Sequence, residues 1–274
     1  MSRYNLIALD LDGTLLNSKK QLSDKTAEAV AAAVAEGKEV VINTGRGPTE
    51  VYEFLDRLPG IRYLNVLSGC MIYDLKEKKE IYSKMLDVDT MLKLFKIAEL
   101  EDCMPHILSL ESYVQKDHIP QMDKYNKIQY QDLYYRVANA VDNIFDFYYS
   151  DPFPSATFHT YHTDLESMYR TEQRIKNLNM DLYIACADEC SLEVTPKGSN
   201  KGVGLKKLCE HLGIDISETI AVGDADNDRP ALSVAGLSVA MANAEEVVKE
   251  MCDVIVSDND HDGCAEAIYK YLLG

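Results

Sequence analysis

The chain has 274 residues, of which 46% are hydrophobic, so it can form one large globular domain or two ordinary ones. Its 45 acidic and 28 basic side chains give a formal net charge of −17, which argues against nucleic acid and anionic membranes as partners. No apolar run approaches the ~20 residues of a membrane span, and no signal-peptide pattern follows Met1. Seven scattered cysteines fit a reducing compartment. We therefore expect a cytoplasmic protein that binds neither nucleic acid nor membranes.

The first part of the chain alternates between strand and helix patterns. Because strands that alternate with helices form parallel sheets, this part predicts an α/β core. A charged turn between residues 71–73 and 80–82 predicts a β-hairpin. The predicted strands are residues 5–9, 39–43 and 63–67, and the predicted helices are residues 23–34 and 48–58.

Residues 84–190 have a different, tyrosine-rich pattern without regular alternation, which predicts a separate α+β domain, here called the cap. The α/β alternation resumes at Thr195, so the core is predicted to be discontinuous, over residues 1–83 and 191–274. The predicted fold class is α/β, with a Rossmann-like parallel-sheet core and an inserted α+β cap domain. Between Ser83 and Thr195, the predicted helices are residues 91–100, 132–145 and 164–178, and the predicted strands are residues 106–115, 156–161, 182–186 and 191–194.

Two aspartates end the first predicted strand. The apolar run that begins at Leu6 leads directly into Asp10 and Asp12, and Gly13 follows as a turn residue. Ligands of α/β sheets bind at the carboxyl ends of strands, where these carboxylates are predicted to lie. With one residue between them, both side chains leave the same face of the strand, so they need a cation, a shared proton, or both.

Three later segments carry further polar residues at comparable positions. The run Thr44–Arg46 follows an apolar strand, and its hydroxyl and main-chain N–H groups suit an anionic oxygen. Lys201 precedes an amphipathic run, where a lysine on its own is usually solvated. A second apolar strand, residues 219–223, leads into the carboxylate cluster Asp224–Asp228.

Together these segments form four motifs, which are D-x-D-G-T-L at Asp10–Leu15, T-G-R at Thr44–Arg46, Lys201, and G-D-x-x-N-D at Gly223–Asp228. Their order and spacing resemble the haloacid dehalogenase-like hydrolases, and in particular the Cof-type phosphatases of subfamily IIB, whose α/β cap lies between the second and third motifs. The resemblance covers the whole chain. One departure is Ser68-Gly69-Cys70, where such proteins usually have Asn-Gly-Ala or Asn-Gly-Gly.

The resemblance implies a mechanism through a covalent aspartyl-phosphate. Asp10 would be the nucleophile, and Asp12 would protonate the leaving alcohol and then deprotonate the attacking water. We expect the neighbouring carboxylates to favour the protonated form of Asp12. The resemblance also implies Mg²⁺, held by Asp10, the main-chain carbonyl of Asp12 and Asp224, with Asp228 in support. The implied substrate-binding residues are Thr44, Gly45, Lys201 and Asn227.

The implied substrates are small phosphorylated metabolites, with sugar phosphates first and pyridoxal phosphate or FMN as the alternative. A phosphomutase, or a non-catalytic regulator that binds a phosphorylated metabolite on the same fold, remains a further alternative. For Arg46, surface solvation and phosphate contact are equally open. Cap tyrosines such as Tyr113, Tyr148 and Tyr161 could stack on a substrate ring or pack in the core. We expect a monomer or a weak homodimer.

Overall fold

The computed structural model describes residues 2–186 and 190–274, so residues 187–189 of the predicted cap lie outside the described residues. The strands are β1 (Leu6–Leu9), β2 (Glu39–Asn43), β3 (Tyr63–Val66), β4 (Met71–Asp74), β5 (Lys79–Ser83), β6 (Cys103–Leu108), β7 (Ser112–Gln115), β8 (Asn139–Val141), β9 (Thr157–His162), β10 (Leu182–Ala185), β11 (Ser191–Pro196), β12 (Thr219–Gly223), β13 (Leu237–Met241) and β14 (Val254–Val256). The helices are α1 (Asp24–Ala35), α2 (Pro48–Leu55), α3 (Val88–Ala98), α4 (Gln131–Val137), α5 (Ile144–Ser150), α6 (Leu165–Lys176), α7 (Lys201–Leu212), α8 (Arg229–Leu232), α9 (Glu246–Met251) and α10 (Gly263–Ala267). None of the helices in these two ranges combines the length and the apolar character that crossing a membrane requires.

The chain divides into two compact units. The larger unit contains the residues up to Arg46, Val51–Ser83 and Asn200–Gly274, and the smaller unit contains Gly47–Glu50 and Lys84–Ser199. The boundary predicted after residue 190 falls before β11, yet β11 belongs to the smaller unit. The reason is its pairing, because β11 is hydrogen-bonded in antiparallel fashion to both β9 and β10.

The larger unit is built on one sheet with the strand order β14-β13-β12-β1-β2-β3-β4-β5. The pairs from β14 to β3 are parallel, and β4 and β5 extend the sheet in antiparallel fashion, which confirms the predicted α/β class and the hairpin. Residues Leu6–Leu9 of β1 are fully buried, so both faces of the sheet are covered. Because Leu9 lies beside Ile42 of β2 and Val222 of β12, the carboxyl ends of these three strands are neighbours.

The smaller unit has a second sheet with the order β10-β11-β9-β6-β7-β8. On one side of it, Phe95 stacks on the fully buried Tyr148 with ring centroids 4.3 Å apart. Tyr113 packs into the same cluster against Phe147. Tyr161 belongs to a second cluster, where it is also buried. Tyr148 and Tyr161 therefore pack in the core of this unit, and the half-buried Tyr113 packs against it.

Two predicted elements of the cap are wrong. Residues 106–115 form the hairpin β6–β7 and not one strand, because the Ser109 N–H donates to the Glu111 carbonyl and turns the chain. Residues 132–145 are divided into α4, β8 and α5 and do not form one helix. In this segment β8 pairs in parallel with β7, and the Asn143 side chain caps a new helix by accepting from the N–H groups of the next turn. Pairing with a distant strand therefore overrides the local helix propensity.

Candidate active site

Asp10 lies at the carboxyl end of β1, as its position after an apolar run predicts. Its N–H continues the ladder to β12 by donating to the Val222 carbonyl at 3.1 Å, and only 5% of the residue is exposed. The chain then turns at Gly13, which has a φ of +83°. A Cβ at Gly13 would lie 2.3 Å from Asp224 Oδ2, so glycine here also lets the loop approach the second carboxylate cluster.

The second cluster follows β12. Asp224 comes directly after the strand, and its Oδ1 accepts a hydrogen bond from the Thr14 hydroxyl at 2.8 Å. Asp228 is buried, and its Oδ2 accepts from the N–H groups of Asp224 and Ala225 at 3.0 and 3.1 Å. Carboxylate oxygens of Asp10, Asp224 and Asp228 all lie within 4.8 Å of one another. The carboxyl ends of β1 and β12 thus bring three predicted site residues together.

Lys201 is the first residue of α7, and its side chain is the cation of this cluster. Asn200 caps this helix, since its side chain accepts from the Val203 N–H at 2.9 Å. Lys201 Nζ lies 2.6 Å from Asp10 Oδ1 and 2.6 Å from Asp228 Oδ1, with 1% of the side chain exposed. A solvated surface position for this lysine is therefore excluded.

The pKa values of the cluster show an excess of negative charge. Burial raises the pKa of Asp10 well above its usual value, Asp228 adds to this effect, and Lys201 only partly opposes it. Burial and Asp228 raise the pKa of Asp224 to about 6, against the hydrogen bond from Thr14. Burial alone would lower the pKa of Lys201, but its two carboxylates raise the pKa above its usual value, so the lysine is protonated. One lysine does not balance three carboxylates, and their oxygen atoms are the ligands that a hard divalent cation prefers.

Asp12 has a different environment from Asp10. Its Oδ2 accepts from Arg46 Nε at 2.7 Å, and its Oδ1 accepts from Arg46 Nη2 and from Lys20 Nζ, each at 2.8 Å. Burial alone would raise the pKa of Asp12, but the hydrogen bonds and charges of these two cations lower it to about 2. The expectation that neighbouring carboxylates favour the protonated form is therefore wrong. Arg46 is neither solvated nor free, because it forms a bidentate pair with this carboxylate.

Lys20 is a site residue that the sequence reasoning missed. It lies in a short turn in which Asn17 Oδ1 accepts from the N–H groups of Lys19 and Gln21, both at 3.0 Å. The turn places Lys20 Nζ on Asp12, although 55% of the lysine side chain is exposed. A lysine in a polar turn is ordinary surface composition, so no local signal could have identified this contact.

The predicted anion-binding run follows β2. Thr44 N–H donates to the Asn65 carbonyl at 2.8 Å, and Arg46 N–H donates to Thr44 Oγ1 at 3.2 Å. The expectation of several free N–H groups is therefore wrong, since two of the three have partners. Within residues 2–186 and 190–274, no protein acceptor is found for the Gly45 N–H, which leaves it and the Thr44 hydroxyl proton to meet an anion.

An unusual turn after β3 supports this run. Leu67, Ser68 and Gly69 have φ values of +56°, +53° and +83°, so three consecutive residues are in the left-handed region. The N–H of Leu67 donates to the Arg46 carbonyl at 3.0 Å, and the N–H of Ser68 donates to the Thr44 carbonyl at 3.2 Å. The departure at Ser68 noted in the sequence thus lies directly behind the predicted anion-binding run.

Asn227 is a predicted site residue whose position gives no support for a contact with the carboxylate cluster. It lies in the exposed part of the turn Asp226–Asp228. In the part of the chain that the structure describes, no hydrogen bond joins its side chain to the carboxylate cluster, and its role stays a prediction.

Comparison with known proteins identifies the kind of chain that carries this arrangement. A family model described as haloacid dehalogenase-like hydrolase matches residues 7–268. A solved haloacid dehalogenase-like hydrolase from Bacteroides thetaiotaomicron is 27% identical, with a TM-score of 0.86 over 97% of this chain and 99% of that chain. The match therefore includes both the strand ends that form the cluster and the segment between the second and third motifs.

Curated bacterial relatives match over almost their full length. Phosphatase YwpJ of Bacillus subtilis is 29% identical over 98% of this chain and 99% of its own. The 5-amino-6-(5-phospho-D-ribitylamino)uracil phosphatase YcsE of the same organism is also 29% identical, over 98% and 96%. The pyridoxal phosphate phosphatase YbhA of Escherichia coli is 26% identical over 98% of both chains. An Arabidopsis thaliana protein named as a chloroplastic endoribonuclease is 31% identical over 99% of this chain, but the chain spans only 47% of that protein.

Proposed function

The chain belongs to the haloacid dehalogenase-like hydrolases and is a phosphatase, and we propose that it hydrolyses small phosphorylated metabolites with Mg²⁺ through an aspartyl-phosphate on Asp10. The observation that carries this proposal is the group of three carboxylates within 4.8 Å of one another, two of which are bridged by a buried lysine. A phosphate ester is an anion, so catalysis depends mainly on positioning and on charge neutralisation.

Two displacements at phosphorus account for the reaction. An oxygen of Asp10 attacks the phosphorus, the bond to the leaving oxygen breaks, and the alcohol departs with a proton from Asp12. Because the pKa of Asp12 is about 2 in this structure, Asp12 has to take up that proton before the first displacement. Water then attacks the phosphorus of the aspartyl-phosphate, Asp12 takes the proton of that water, and the Asp10 carboxylate is released with inorganic phosphate. The ion pairs of Asp12 with Arg46 and Lys20 support the second role, since they keep a base in its ionised form.

The residues present fit a magnesium ion. The side chains of Asp10 and Asp224 and the main-chain carbonyl of Asp12 would hold it, with Asp228 in support. The ion would supply positive charge to the transferring phosphoryl group. Lys201 ties Asp10 to Asp228, which keeps the nucleophile oriented. Thr44, Gly45, Lys201 and Asn227 are proposed to contact the phosphoryl oxygens.

The proposed substrates are phosphate monoesters of small alcohols. Sugar phosphates are the first candidates. Pyridoxal phosphate and FMN are the second, and the relatives that act on pyridoxal phosphate and on a ribityl phosphate support this alternative. Pyridoxal phosphate carries its phosphate one methylene from the ring and FMN carries it at the end of a ribityl chain, so the choice concerns what surrounds the leaving alcohol. We propose that the cap, predicted over residues 84–190, makes this choice. The alternatives of a mutase and a non-catalytic regulator are not favoured, because the full-length curated relatives are phosphatases.

The experiment is a panel of phosphate esters assayed for phosphate release with and without Mg²⁺. We expect release from an aryl phosphate in the presence of Mg²⁺ and none after chelation. Asp10→Asn removes the nucleophile without adding bulk and should reduce turnover to background. Its matched control is Asp226→Asn in the exposed turn of the second cluster, which should keep wild-type turnover. Wild-type turnover by the Asp10 variant would contradict the covalent mechanism.

A further inference from the structure

Asn65 is a fully buried polar residue on β3 that no sequence motif includes. Its side-chain Nδ2 donates two hydrogen bonds, one to Asn43 Oδ1 at 2.6 Å and one to the main-chain carbonyl of Lys201 at 2.9 Å. A main-chain carbonyl can only accept, which fixes the orientation of the amide. Both protons of the amide nitrogen are therefore used, and one of them holds the first residue of α7.

The beginning of α7 is shaped to receive this amide. Glycine inside a helix is unfavourable relative to alanine, yet Gly202 and Gly204 both lie in the first turn. A Cβ at Gly204 would lie 2.0 Å from Asn65 Oδ1, so no other residue leaves room for the amide. A Cβ at Gly202 would lie 2.2 Å from the Pro230 carbonyl, which shows the same close approach on the α8 side.

The same residue also touches the anion-binding run through its main chain. The carbonyl of Asn65 accepts from the Thr44 N–H at 2.8 Å, and Asn43 and Asn65 are neighbours in the β2–β3 ladder. Within the residues that the structure describes, Asn65 Oδ1 has no hydrogen-bond partner. A buried amide left half satisfied is costly, and an apolar side chain of similar size would fill the position without that cost. Because Oδ1 makes no hydrogen bond and Nδ2 makes two, the reason for an asparagine at this position lies in its amide nitrogen.

We propose that Asn65 is a positioning residue, whose amide nitrogen holds the start of α7 so that Lys201 Nζ lies between Asp10 and Asp228. The lysine reaches these carboxylates from the same residue whose carbonyl Asn65 holds, so a shift of that residue moves the ammonium with it. The expected effect on kcat rests on the proposed function. The expected effect on the position of Lys201 rests only on the geometry of the larger unit.

The test compares two variants with one control. Asn65→Leu keeps the branched shape of the side chain and removes both donors, and Asn65→Asp places an acceptor against two acceptors. The control is Thr219→Val, which removes a hydrogen bond of another fully buried side chain, from Thr219 to the Ile216 carbonyl at 2.7 Å, at the amino end of β12. Misplacing a reacting group by about 1 Å can cost about 100-fold in rate. We expect both Asn65 variants to lower kcat by about 10- to 100-fold, and the control to change it by less than about twofold.

A double-mutant cycle shows whether Asn65 acts through the lysine. In a Lys201→Met background, Asn65→Leu should have almost no further effect on kcat, because the group that it positions is gone. Full additivity of the two losses, or an equal loss in the Thr219→Val control, would overturn the proposal while leaving the phosphatase function intact.

A crystal structure of the Asn65→Leu protein decides the question even if the wild-type enzyme turned over no ester. We expect Lys201 Nζ to have left hydrogen-bond distance of Asp10 or Asp228. If both contacts remain at 2.6 Å, Asn65 does not position the lysine. If the wild-type protein hydrolysed no phosphate ester, that result would contradict the proposed function and would leave the positioning role of Asn65 untouched.

Discussion

Lys201 shows what a single residue contributes to the site. Local signals favour a solvated lysine at a helix start, and only its place among the four motifs pointed to the site. The structure buries its ammonium between Asp10 and Asp228. Its charge and its two hydrogen bonds are therefore part of the proposed phosphoryl site, and their removal leaves buried carboxylates without compensation.

Replacing this ammonium should reduce turnover strongly. Lys201→Met keeps most of the side-chain volume, and loss of one charged group that stabilises the transition state costs about 100-fold or more in kcat. Steady-state kinetics on an aryl phosphate measures this loss. Lys207→Met on the same helix is the matched control, because the Lys207 side chain is partly exposed and pairs with Glu210. Equal kinetics for the two variants would return Lys201 to a structural role.

The protonation of Asp12 is the residue-scale property that the sequence could not supply. The sequence predicts that both aspartates lie at the carboxyl end of β1, and in the structure Asp10 and Asp12 both follow that strand. The sequence could not show that Arg46 and Lys20 contact Asp12 and lower its pKa to about 2. Such contacts depend on the conformation of two loops, one eight residues after Asp12 and the other 34 residues after it. The spacing of two aspartates in the sequence predicts that they lie close together, but the other charged groups that contact each carboxyl group decide whether it is ionised.

At the scale of elements, strand ends and the start of the first helix were predictable because they depend on local sequence. Ser23, at which the first helix was predicted to begin, caps α1 by accepting from the Thr26 N–H. The division of residues 132–145 into α4, β8 and α5 was not predictable, because β8 is held by its pairing with β7. The left-handed turn behind the anion-binding run was visible only as an unexplained departure at Ser68.

That turn gives a prediction about stability. A left-handed φ is tolerated by asparagine and strained for a β-branched residue. Ser68→Val should therefore lower the free energy of unfolding by about 1–2 kcal/mol, and Ser68→Asn should leave it unchanged or slightly higher. Urea unfolding of the three proteins measures the difference. A valine variant as stable as the wild type would show that the turn is not strained at this residue.

The end of β9 gives a prediction about pH. His162 is buried, with its ring nitrogens bonded to Ser167 Oγ and Thr160 Oγ1, and burial lowers its pKa from 6.5 to about 4, against the charges of Glu101 and Asp164. The His162 imidazole thus stays neutral in the folded protein, whereas in the unfolded protein it binds a proton below pH 6.5. Stability should fall as the pH decreases from 6.5 towards 4, by up to about 2–3 kcal/mol for this residue.

Urea unfolding of the smaller unit at pH 7.0 and pH 4.5 tests this pH dependence. His162→Asn should lose less stability between the two values than the wild type does, because it cannot bind the proton. His106 is also buried with a lowered pKa, so the wild-type slope contains its contribution and only the difference between the proteins is diagnostic. An identical slope in the variant would mean that His162 does not titrate in this window.

At the scale of the whole molecule, the net charge of −17 opposes an anionic substrate. The site contains local cations that counter this field, with Lys201 between two carboxylates and Arg46 and Lys20 on Asp12. These cations are all paired with carboxylates, so a divalent ion is the remaining source of net positive charge in the proposed site. Composition alone argued against nucleic acid and anionic membranes as partners, and it could not show where charge is concentrated in the fold.

The last prediction concerns the cap, as the part of the molecule that would set specificity. All four motifs lie outside Lys84–Ser199, so replacing this segment by a short linker should spare the carboxylate cluster. The ends can be joined within the larger unit. Ser83 is the register partner of Met71, and the Asn200 carbonyl lies beside Gly69.

We expect this shortened protein to lose far more activity on a hexose phosphate than on 4-nitrophenyl phosphate. Contacts to the remote part of a substrate contribute to its orientation, and a small ester with an activated leaving group depends on them less. The decisive quantity is the ratio of kcat/KM for the two esters before and after the replacement, in a protein shown by circular dichroism to be folded. An unchanged ratio would mean that specificity resides in the larger unit, and the search for substrate contacts would then move to the loops that follow β1, β2 and β12.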